Sequence, residues 1–517
     1  MTIEKNKKTF AAAATAILII AAFFLFYNLG DRLLWGDEAE TALLGLNITE
    51  YGVPVVDDGR NVITFLGTGG EVNDSGLWDW SPWLDEYIAA GSFLLFGKSA
   101  YAARLPFALI ALVSLLLFWR LAKTLYQKPE TVLTALILLS ANVPFLLHSR
   151  QCRYYSVLIL AQIAIVYGFN YLLAGRGGAR IGVAVVALAL TAQFYCNYIV
   201  VMGNIVAITA AALILSRSYG VKLLLRIIVS GAIFFVLALP WLIYSRPGAQ
   251  SEFVDLAGFW SRAFSYIAEI HFHIIPVFIF LIPTVILLLK KRRAEEVRTT
   301  KDTRLFMWLF IPASLATISI APGVYFRYLM PLIPILFLLA APIITDYIRP
   351  RAVRYILIAL LCLTNLLSII SAYPVRGEHT AALSLPSYVS EITTNYENRL
   401  NNVVAYFNEH ARSGDTVLTP DPEFPLIFHS RLRIIDSYRV NPFKQGYQPD
   451  FVISESVSGT VSSGVITLNE PLLSNYETVR LMVINNPRGD NRPDPHARLR
   501  FTATDKTEII LYKKRAR

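Results

Sequence analysis

The fold is decided by the stretch 84–126, LDEYIAAGSFLLFGKSAYAARLPFALIALVSLLLFWRLAKTLY. Its second part, 105–124, is an apolar run of about the 20 residues that an α-helix needs to cross a bilayer. Its first part, 84–97, is also apolar but is too short to cross, and it carries Asp85 and Glu86 near its start. We therefore expect 105–124 to be a span and 84–97 to be a helix lying at the membrane interface.

The composition of the whole chain is that of a membrane protein. Of 517 residues, 55% are hydrophobic and only 16% are charged, whereas soluble domains are about 45–50% apolar and about 25% charged. Runs long enough to span a bilayer occur about eleven times. They lie near 10–28, 105–124, 131–148, 155–174, 181–197, 198–216, 223–243, 272–289, 305–321, 329–347 and 355–372. The sequence thus predicts a polytopic α-helical membrane protein.

The distribution of Lys and Arg predicts how these spans are oriented. If 84–97 is not a span, every basic cluster falls on the side that also holds the N-terminus. The clusters lie at 5–8, 120–128, 176–180, 217–226, 290–304 and 349–354. The positive-inside rule makes that side the cytoplasm. Topology therefore explains the net charge of +10, and we predict no nucleic-acid partner.

A second domain follows the last span. A helical stretch at 384–414 precedes five short runs rich in β-forming residues: DTVLT, LRIIDSY, DFVIS, VRLMVI and EIILYKK. Strands that alternate with helices predict a small soluble α/β domain, and the topology puts this domain outside the cytoplasm. We divide the chain into a transmembrane domain, 1–375, with an outer loop at 29–104, and an extracytoplasmic α/β domain, 376–517.

Charged residues on the outer side are the candidates for function. The first outer loop contains WGDEAETALLGL at 35–46, which puts Asp37 and Glu38 at the membrane edge. Short outer loops carry isolated arginines, against the positive-inside bias: Arg150, Arg153 and Arg327. Arginine binds phosphate in bidentate fashion. Carboxylates facing such arginines suit the transfer of a group from a membrane-anchored phosphate to a nucleophile that a carboxylate activates.

Each of these features also has a structural interpretation. Asp37, with Glu40 three residues later, matches a helix N-cap completed by a capping box. Arg150 and Arg153 could reach lipid headgroups or pair with carboxylates. Tyr154 could belong to an aromatic belt at the membrane surface.

Metal binding is a separate alternative. His271 and His273, in IHFHII, could ligate a metal or could be amphipathic anchors at the interface. The three cysteines, Cys152, Cys196 and Cys362, are far apart and show neither zinc spacing nor a disulfide framework.

Three stretches of the chain resemble the C-type membrane glycosyltransferases, the GT-C superfamily. WGDEAETALLGLNITEYGVP (35–54) resembles the acidic motif of the first loop, and 81–126 resembles the interface helix and the Arg-Leu-Pro entry to the second span. RYLMPLIPILFLLAAP (327–342) is similar to a late span with paired prolines. The chain most resembles the branch that holds protein O-mannosyltransferases and lipid A aminoarabinose transferases, over about residues 1–350.

This resemblance implies an inverting glycosyltransferase, a hexosyl- or pentosyltransferase, whose donor is a polyprenyl-phosphate-linked sugar. It makes Asp37, with Glu38 beside it, the base that takes a proton from the acceptor hydroxyl on the outer face. The donor phosphate would be held by Arg150, Arg153, Arg327 and Tyr154. The acceptor could be a protein, a lipid-linked glycan or a cell-wall polymer.

The chain departs from the family's pattern in two places. The second outer loop, RQCRYYS, has no acidic residue where many members have one, and SPWLDEYI has Asp85 and Glu86 where relatives often have a Pro-Leu-aromatic run. A second catalytic carboxylate and a divalent metal ion are therefore left open, and no other cofactor is expected. Asp85 or Glu86 could supply either function, and His271 and His273 could contribute to a metal site.

Other functions fit this sequence less well. Transfer of a whole oligosaccharide would require a long ligase-type loop motif, which we do not find. The alternative from another class is a lipid or solute transporter, but transporters usually show internal repeats and charges near the midplane, whereas here the charges cluster at the outer edge. A receptor would leave the first-loop acids unexplained. The compact chain and short inside loops favour a prokaryotic inner or plasma membrane, with membrane lipids as partners.

Overall fold

The computed structural model describes residues 2–65, 70–174, 177–245, 255–282, 298–372, 379–394, 397–437, 442–457, 466, 470–485 and 505–515. Contacts between residues divide the chain into two compact units. We call Met1–Tyr27 with Phe107–Ser390 the helical unit, and Asn28–Pro106 with Glu391–Arg517 the mixed unit.

The helical unit consists mainly of apolar helices. Among the described residues, the helices long and apolar enough to cross a membrane are Lys8–Phe26, Ala100–Leu125 (which begins in the mixed unit), Tyr155–Ala174, Tyr198–Tyr219 and Val221–Tyr244. The other helices are Pro129–Ser140, Val143–Ser149, Ala179–Phe194, Phe259–Glu269, Arg298–Ile318, Leu332–Tyr347, Arg351–Leu363, Leu366–Ser371 and Ser384–Thr393, which ends in the mixed unit. The predicted class, a polytopic α-helical membrane protein, is confirmed. The number of about eleven spans stays a prediction.

The predicted span at 131–148 is not one straight helix. It is formed by helices Pro129–Ser140 and Val143–Ser149, which are bent by 57° relative to each other. The break has a local cause, because the side chain of Asn142 accepts a hydrogen bond from the backbone N–H of Phe145 and caps the second helix.

The predicted span at 355–372 is also interrupted. Helix Arg351–Leu363 ends before Asn365, whose side-chain amide donates to the carbonyl of Thr380 and accepts from the N–H of Ala382. These bonds hold Asn365 outside a helical geometry, and helix Leu366–Ser371 begins after it.

The predicted span at 272–289 lies partly outside the described residues. Its described part is a π-helical turn, Ile270–Ile274, followed by a 3₁₀-helix, Val277–Leu281. Pro276 separates the two, because a proline lacks the N–H that a continuous helix requires.

Glycines allow the helices of this unit to approach closely. A Cβ added to Gly182 would lie 2.8 Å from the carbonyl oxygen of Gly168 and 2.9 Å from the backbone nitrogen of Leu172. A Cβ added to Gly203 would lie 2.8 Å from the Cα of Ser314. Small residues at such contacts are typical of helix packing in membranes.

Three fully buried amides tie together the helices that start at residues 155, 179 and 198. Asn204 donates to Gln162 at 2.7 Å and to Gln193 at 2.8 Å, and Gln193 donates to Gln162 at 3.1 Å. Each amide oxygen in this group accepts at least one hydrogen bond, since the oxygen of Asn204 accepts from Gln162. The group therefore satisfies its own polar atoms, as apolar surroundings require.

The mixed unit contains a five-stranded sheet with the order β2-β1-β3-β5-β4. Its strands are β1 Thr416–Thr419, β2 Arg433–Asp436, β3 Phe451–Ile453, β4 Tyr476–Asn485 and β5 Asp505–Lys514. β1 pairs in parallel with β2 and β3, while β5 pairs antiparallel with β3 and β4. The helices are Gly36–Tyr51, Leu84–Phe96, Arg399–His410, Phe424–His429 and Glu470–Leu473. All five predicted strands are present, and the predicted α/β class of the C-terminal region is confirmed.

The mixed unit joins two distant parts of the chain. The side chain of Asn61 donates to the carbonyl of Leu432 and accepts from the N–H of Ile434. Two pairs of rings also pack together: Phe65 meets Phe424 edge to face, and Phe93 packs against Phe428 in a tilted arrangement. The division by contacts thus differs from the division by sequence, which kept 29–104 with the transmembrane domain and began the second domain at 376.

The helix expected at 84–97 is present as Leu84–Phe96, with 13 residues. This length is well below the roughly 20 residues of a span. Leu94, Leu95 and Phe96 at its end are 72%, 77% and 58% exposed.

Candidate active site

Asp37 lies in the first turn of helix Gly36–Tyr51. The residue before the helix is Trp35, in an extended conformation and without a side-chain cap. The interpretation of Asp37 as an N-cap is therefore wrong, because the helix begins two residues earlier than the polar pattern indicates. Asp37 is partly exposed, and the partial positive charge of a helix N-terminus stabilises a carboxylate at this position.

Glu38 has a different environment from its neighbour. It is fully buried, and its two carboxylate oxygens accept hydrogen bonds of 2.8 and 2.7 Å from Nε and Nη2 of Arg104. The remaining N–H groups of Arg104 donate at 2.8 to 3.0 Å to the carbonyls of Leu29, Arg32 and Leu33. All five donors of the guanidinium are thus used, and Glu38 holds the chain before Asp37 in place.

His429 also binds the segment before Asp37. Its Nε2 accepts a hydrogen bond of 2.8 Å from the N–H of Leu34, so the ring proton is on Nδ1. Burial, together with the positive charges of Arg104 and Lys98, lowers the pKa of His429 to about 3. A neutral imidazole from the C-terminal part of the chain therefore anchors the backbone three residues before Asp37.

Asp85 and Glu86 lie in the first turn of helix Leu84–Phe96 and are 2% and 0% exposed. This helix packs closely on helix Gly36–Tyr51, because a Cβ added to Gly45 would lie 3.1 Å from the carbonyl oxygen of Glu86. The structure thus places both acids in the same unit as Asp37, but in its interior.

The described residues offer no metal site. No group of three or more His, Cys, Asp or Glu side chains among them could hold a metal ion. Nε2 of His271 bonds to the carbonyl of Ser368 at 3.0 Å, and its Nδ1 accepts from the N–H of Val277 at 3.2 Å. Both ring nitrogens of His271 are thus taken by the backbone. His273 lies against the rings of Phe326 and His379 and 3.7 Å from a carboxylate oxygen of Glu269.

Arg150, predicted to bind phosphate, caps a helix instead. Its Nη1 donates to the carbonyl of Phe24 and its Nη2 to that of Tyr27, both at 2.7 Å. These carbonyls lie at the C-terminal end of helix Thr2–Phe26, where cations are favoured. Capping of a helix C-terminus is a structural role that differs from the expected contact with lipid headgroups or carboxylates.

The other predicted phosphate ligands lie among tyrosines in the helical unit. The guanidinium of Arg327 lies 4.8 Å from the ring centre of Tyr325 and 5.9 Å from that of Tyr328, and the guanidinium of Arg153 lies 5.7 Å from the ring centre of Tyr154. Burial raises the pKa of Tyr154, while the charges of Arg327 and Arg153 oppose this shift. Arg327 and Arg153 are therefore both close to Tyr154, and their role as phosphate ligands stays a prediction.

Asn197 connects this cluster to helix Tyr198–Tyr219. Its side-chain oxygen accepts from the N–H groups of Ile199 and Val200, and its Nδ2 donates to the hydroxyl of Tyr154 at 3.4 Å. Burial raises the pKa of Tyr328 to about 12, with Tyr154 adding to the shift. The tyrosines thus remain protonated hydroxyls that can donate to an anion.

Comparison with known proteins finds solved structures with a similar fold. Residues 81–244 match the family model of dolichyl-phosphate-mannose-protein mannosyltransferase. The chain is similar to ArnT from Cupriavidus metallidurans, solved with undecaprenyl phosphate bound, with a TM-score of 0.52 and 14% identity over 83% of this chain and 85% of that one. The chain is a membrane protein with the fold of this ArnT. The apo structure of the same ArnT matches with a TM-score of 0.52 and 13% identity, over 84% of this chain and 86% of that one.

Arabinosyltransferase EmbB from Mycobacterium smegmatis matches with a TM-score of 0.43 and 13% identity, over 64% of this chain and 30% of that one. A search of curated protein sequences finds no match.

Two residues that support the segment before Asp37 were not predicted from the sequence. Arg104 was visible only as part of the Arg-Leu-Pro motif, and its partner Glu38 lies 66 residues away. His429 gave no signal, because its bond to Leu34 joins residues that are 395 positions apart.

Proposed function

We propose that the chain is an inverting glycosyltransferase that moves a sugar from a polyprenyl-phosphate donor to an acceptor hydroxyl on the outer face of a membrane. The GT-C fold, the match of residues 81–244 to a mannosyltransferase family model, and the likeness to an ArnT that binds undecaprenyl phosphate support this proposal.

The observation that carries the proposal is the cluster of Arg153, Arg327 and Tyr154. Two guanidinium groups and a buried hydroxyl gather in a unit of apolar helices, where a lipid-linked phosphate is the natural anion. Arginine is suited to this anion because its planar donors match phosphate oxygens. We assign these three residues to binding of the donor phosphate. Arg150 has a different role, because it caps the C-terminal end of the first helix.

We assign the role of base to Asp37. The oxygen of the acceptor hydroxyl attacks the anomeric carbon, the bond from that carbon to the phosphate oxygen breaks, and Asp37 takes the hydroxyl proton. The electron pair of the broken bond leaves with the polyprenyl phosphate, which is already ionised and needs no dedicated acid. Arg153 and Arg327 stabilise the charge that grows on the leaving phosphate.

The other carboxylates have supporting roles in this proposal. Glu38 acts through Arg104 as a positioning residue for the chain before Asp37. Asp85 and Glu86 are buried in the neighbouring helix and we give them no step. No step of the proposed reaction requires a metal ion.

The test measures sugar transfer in cells that make Asp37→Asn or Arg153→Ala, with envelope glycans and glycoproteins analysed by mass spectrometry. We expect Asp37→Asn to lower transfer by about 10²–10⁴, the usual contribution of a general base. We expect Arg153→Ala to lower it by about 10²–10³. Matched controls are the exposed residues Asp31 and Arg217, and Asp31→Asn and Arg217→Ala should leave transfer unchanged.

The outcome identifies the acceptor as well as the activity. Loss of one sugar from the same glycan or protein in both variants, with normal amounts of the chain in the membrane, would support the proposal. If Asp37→Asn leaves every glycan intact, Asp37 is not the base and the proposed reaction is wrong.

A further inference from the structure

Three cationic side chains of the mixed unit come from distant segments that the fold brings together. The side chain of Asn61 bonds to the backbone of Leu432 and Ile434, which places Arg60 beside the segment that carries Arg431. The same segment is preceded by Phe428, and Nζ of Lys98 lies 4.9 Å from the centre of its ring. All three cations have solvent-exposed side chains, although surrounding protein atoms partly desolvate Lys98.

Lys98 is close enough to Arg60 and Arg431 for their charges to affect it. Partial burial lowers the pKa of Lys98, the charges of Arg60 and Arg431 lower it further, and Asp58 opposes the shift. Oδ1 of Asp58 already accepts from the backbone N–H groups of Arg60 and Asn61. Among the described residues, no carboxylate forms an ion pair with any of the three cations. The patch therefore has an excess of positive charge.

An apolar surface adjoins this patch in the chain. Leu94, Leu95 and Phe96 are largely exposed at the end of helix Leu84–Phe96. Gly97, with φ of 72°, turns the chain directly before Lys98. Helix Ala100–Leu125, which is long and apolar enough to cross a membrane, begins two residues after Lys98. Cations next to exposed apolar side chains suit a lipid, which offers an anion and hydrocarbon together.

We propose that Arg60, Lys98 and Arg431 form a binding site for the anionic headgroup of a membrane lipid, with residues 94–96 inserted among its acyl chains. A soluble acidic glycan would use the cations but would leave the apolar side chains in water. The site is independent of the proposed transfer reaction, and none of its residues belongs to the assigned machinery.

The test uses the full chain, purified in a neutral detergent. The probes are phosphatidylglycerol and phosphatidylcholine with identical acyl chains, each carrying a photoreactive group near the chain end. After illumination, mass spectrometry identifies the labelled peptides. We expect phosphatidylglycerol to label the peptide that contains residues 94–96 about tenfold more than phosphatidylcholine does, since each nearby cation favours an anionic surface.

Two triple variants locate the effect. Arg60→Gln/Lys98→Gln/Arg431→Gln should remove the preference for phosphatidylglycerol at residues 94–96. Arg60→Lys/Lys98→Arg/Arg431→Lys keeps the charge and should retain it. A control with the same loss of charge elsewhere in the mixed unit, at three exposed residues, should also retain it: Arg412→Gln/Arg480→Gln/Lys506→Gln. Thermal unfolding of each variant shows that the chain is folded.

Three results would overturn the proposal. One is equal labelling by the two lipids in the wild type, and another is a preference that survives neutralisation of the three cations. The third is that inorganic phosphate or a soluble acidic polysaccharide abolishes labelling at micromolar concentration, which would make the site one for a soluble anion.

Discussion

Asp37 and Glu38 are adjacent, yet their side chains have different physical tasks. Glu38 is fully buried in a pair with Arg104, and breaking such a pair by removing one partner costs about 3–5 kcal/mol. Asp37 is partly exposed at the start of the helix. Loss of transfer in a Glu38 variant would therefore report on the fold, and only the Asp37 variant tests the base.

The anchor at His429 makes the stability of the mixed unit depend on pH. Its pKa is about 3 when folded and 6.5 when unfolded, so the folded state disfavours the charged ring. The stabilisation is complete above pH 6.5 and is lost as the pH falls toward 3. When the pH falls from 7 to 5, protonation of this one group should lower the free energy of unfolding by about 2 kcal/mol.

His429→Gln tests this dependence by thermal unfolding at pH 7 and pH 5. Glutamine can still accept from the N–H of Leu34 but does not titrate, so the difference between the two pH values should shrink by about 2 kcal/mol. His410→Gln is the control, because His410 is exposed in the same unit. An unchanged pH dependence in His429→Gln would mean that the ring is not held neutral.

At the scale of residues, the sequence predicted which kinds of side chain carry the chemistry better than it predicted which residues contact each other. The acidic stretch at 35–46 and the isolated arginines were visible because charge is rare in this chain. The helix start was misplaced because Trp35 precedes the helix without a polar cap. Arg150 was assigned to phosphate because no pattern shows that the end of the first helix, at Phe24 and Tyr27, lies beneath its guanidinium.

The helices and strands were predictable where local pattern decides them. Five β-rich runs became five strands, since β-forming residues bounded by polar connectors act over a few positions. Two apolar runs were interrupted at Asn142 and Asn365, where side-chain amides bind backbone groups. Hydropathy averages over about 20 residues and does not detect one such amide.

Helix packing in the helical unit depends on specific glycines. Gly182→Ala would place a methyl group 2.8 Å from the Gly168 carbonyl and 2.9 Å from the Leu172 nitrogen, and backbone atoms cannot move aside as side chains do. We expect a loss of about 1–3 kcal/mol, measured by thermal unfolding in detergent.

Gly231→Ala is the matched control for this prediction. Gly231 also lies inside a long helix, Val221–Tyr244, but a Cβ there has no atom within 4 Å. Alanine favours a helix over glycine, so this change should leave stability unchanged or raise it. Equal effects of the two substitutions would contradict a role for close packing at Gly182.

For the whole molecule, we propose that the N-terminus is cytoplasmic and that the C-terminal region is outside, in a prokaryotic inner or plasma membrane. Alkaline phosphatase, which is active only outside the cytoplasm, can be fused after residue 220 or after residue 412. We expect activity only from the second fusion, because the positive-inside rule places the basic loop near 217–226 in the cytoplasm. The reverse pattern would make 84–97 a span.

The packing of residues 28–106 with residues 391–517 could not be predicted from the sequence. A boundary near 375 was visible because composition changes there, but nothing in the pattern joined residues 28–106 to residues 391–517. Single side chains make that join, among them Asn61, Arg32 with Glu391, and Phe65 with Phe424. Such contacts depend on shape rather than on composition or periodicity.

The split origin of the mixed unit has a consequence for synthesis. Residues 107–390 separate its two parts, and at ordinary rates of about 5–20 residues per second the ribosome needs roughly 15 to 60 seconds to make them. During that time the first part exists without the strands and helices that it packs against. Residues 28–106, which carry Asp37, can reach their final packing only after residues 391–517 have been made. A nascent chain stalled before residue 391 therefore lacks the strands and helices that pack against the segment carrying Asp37.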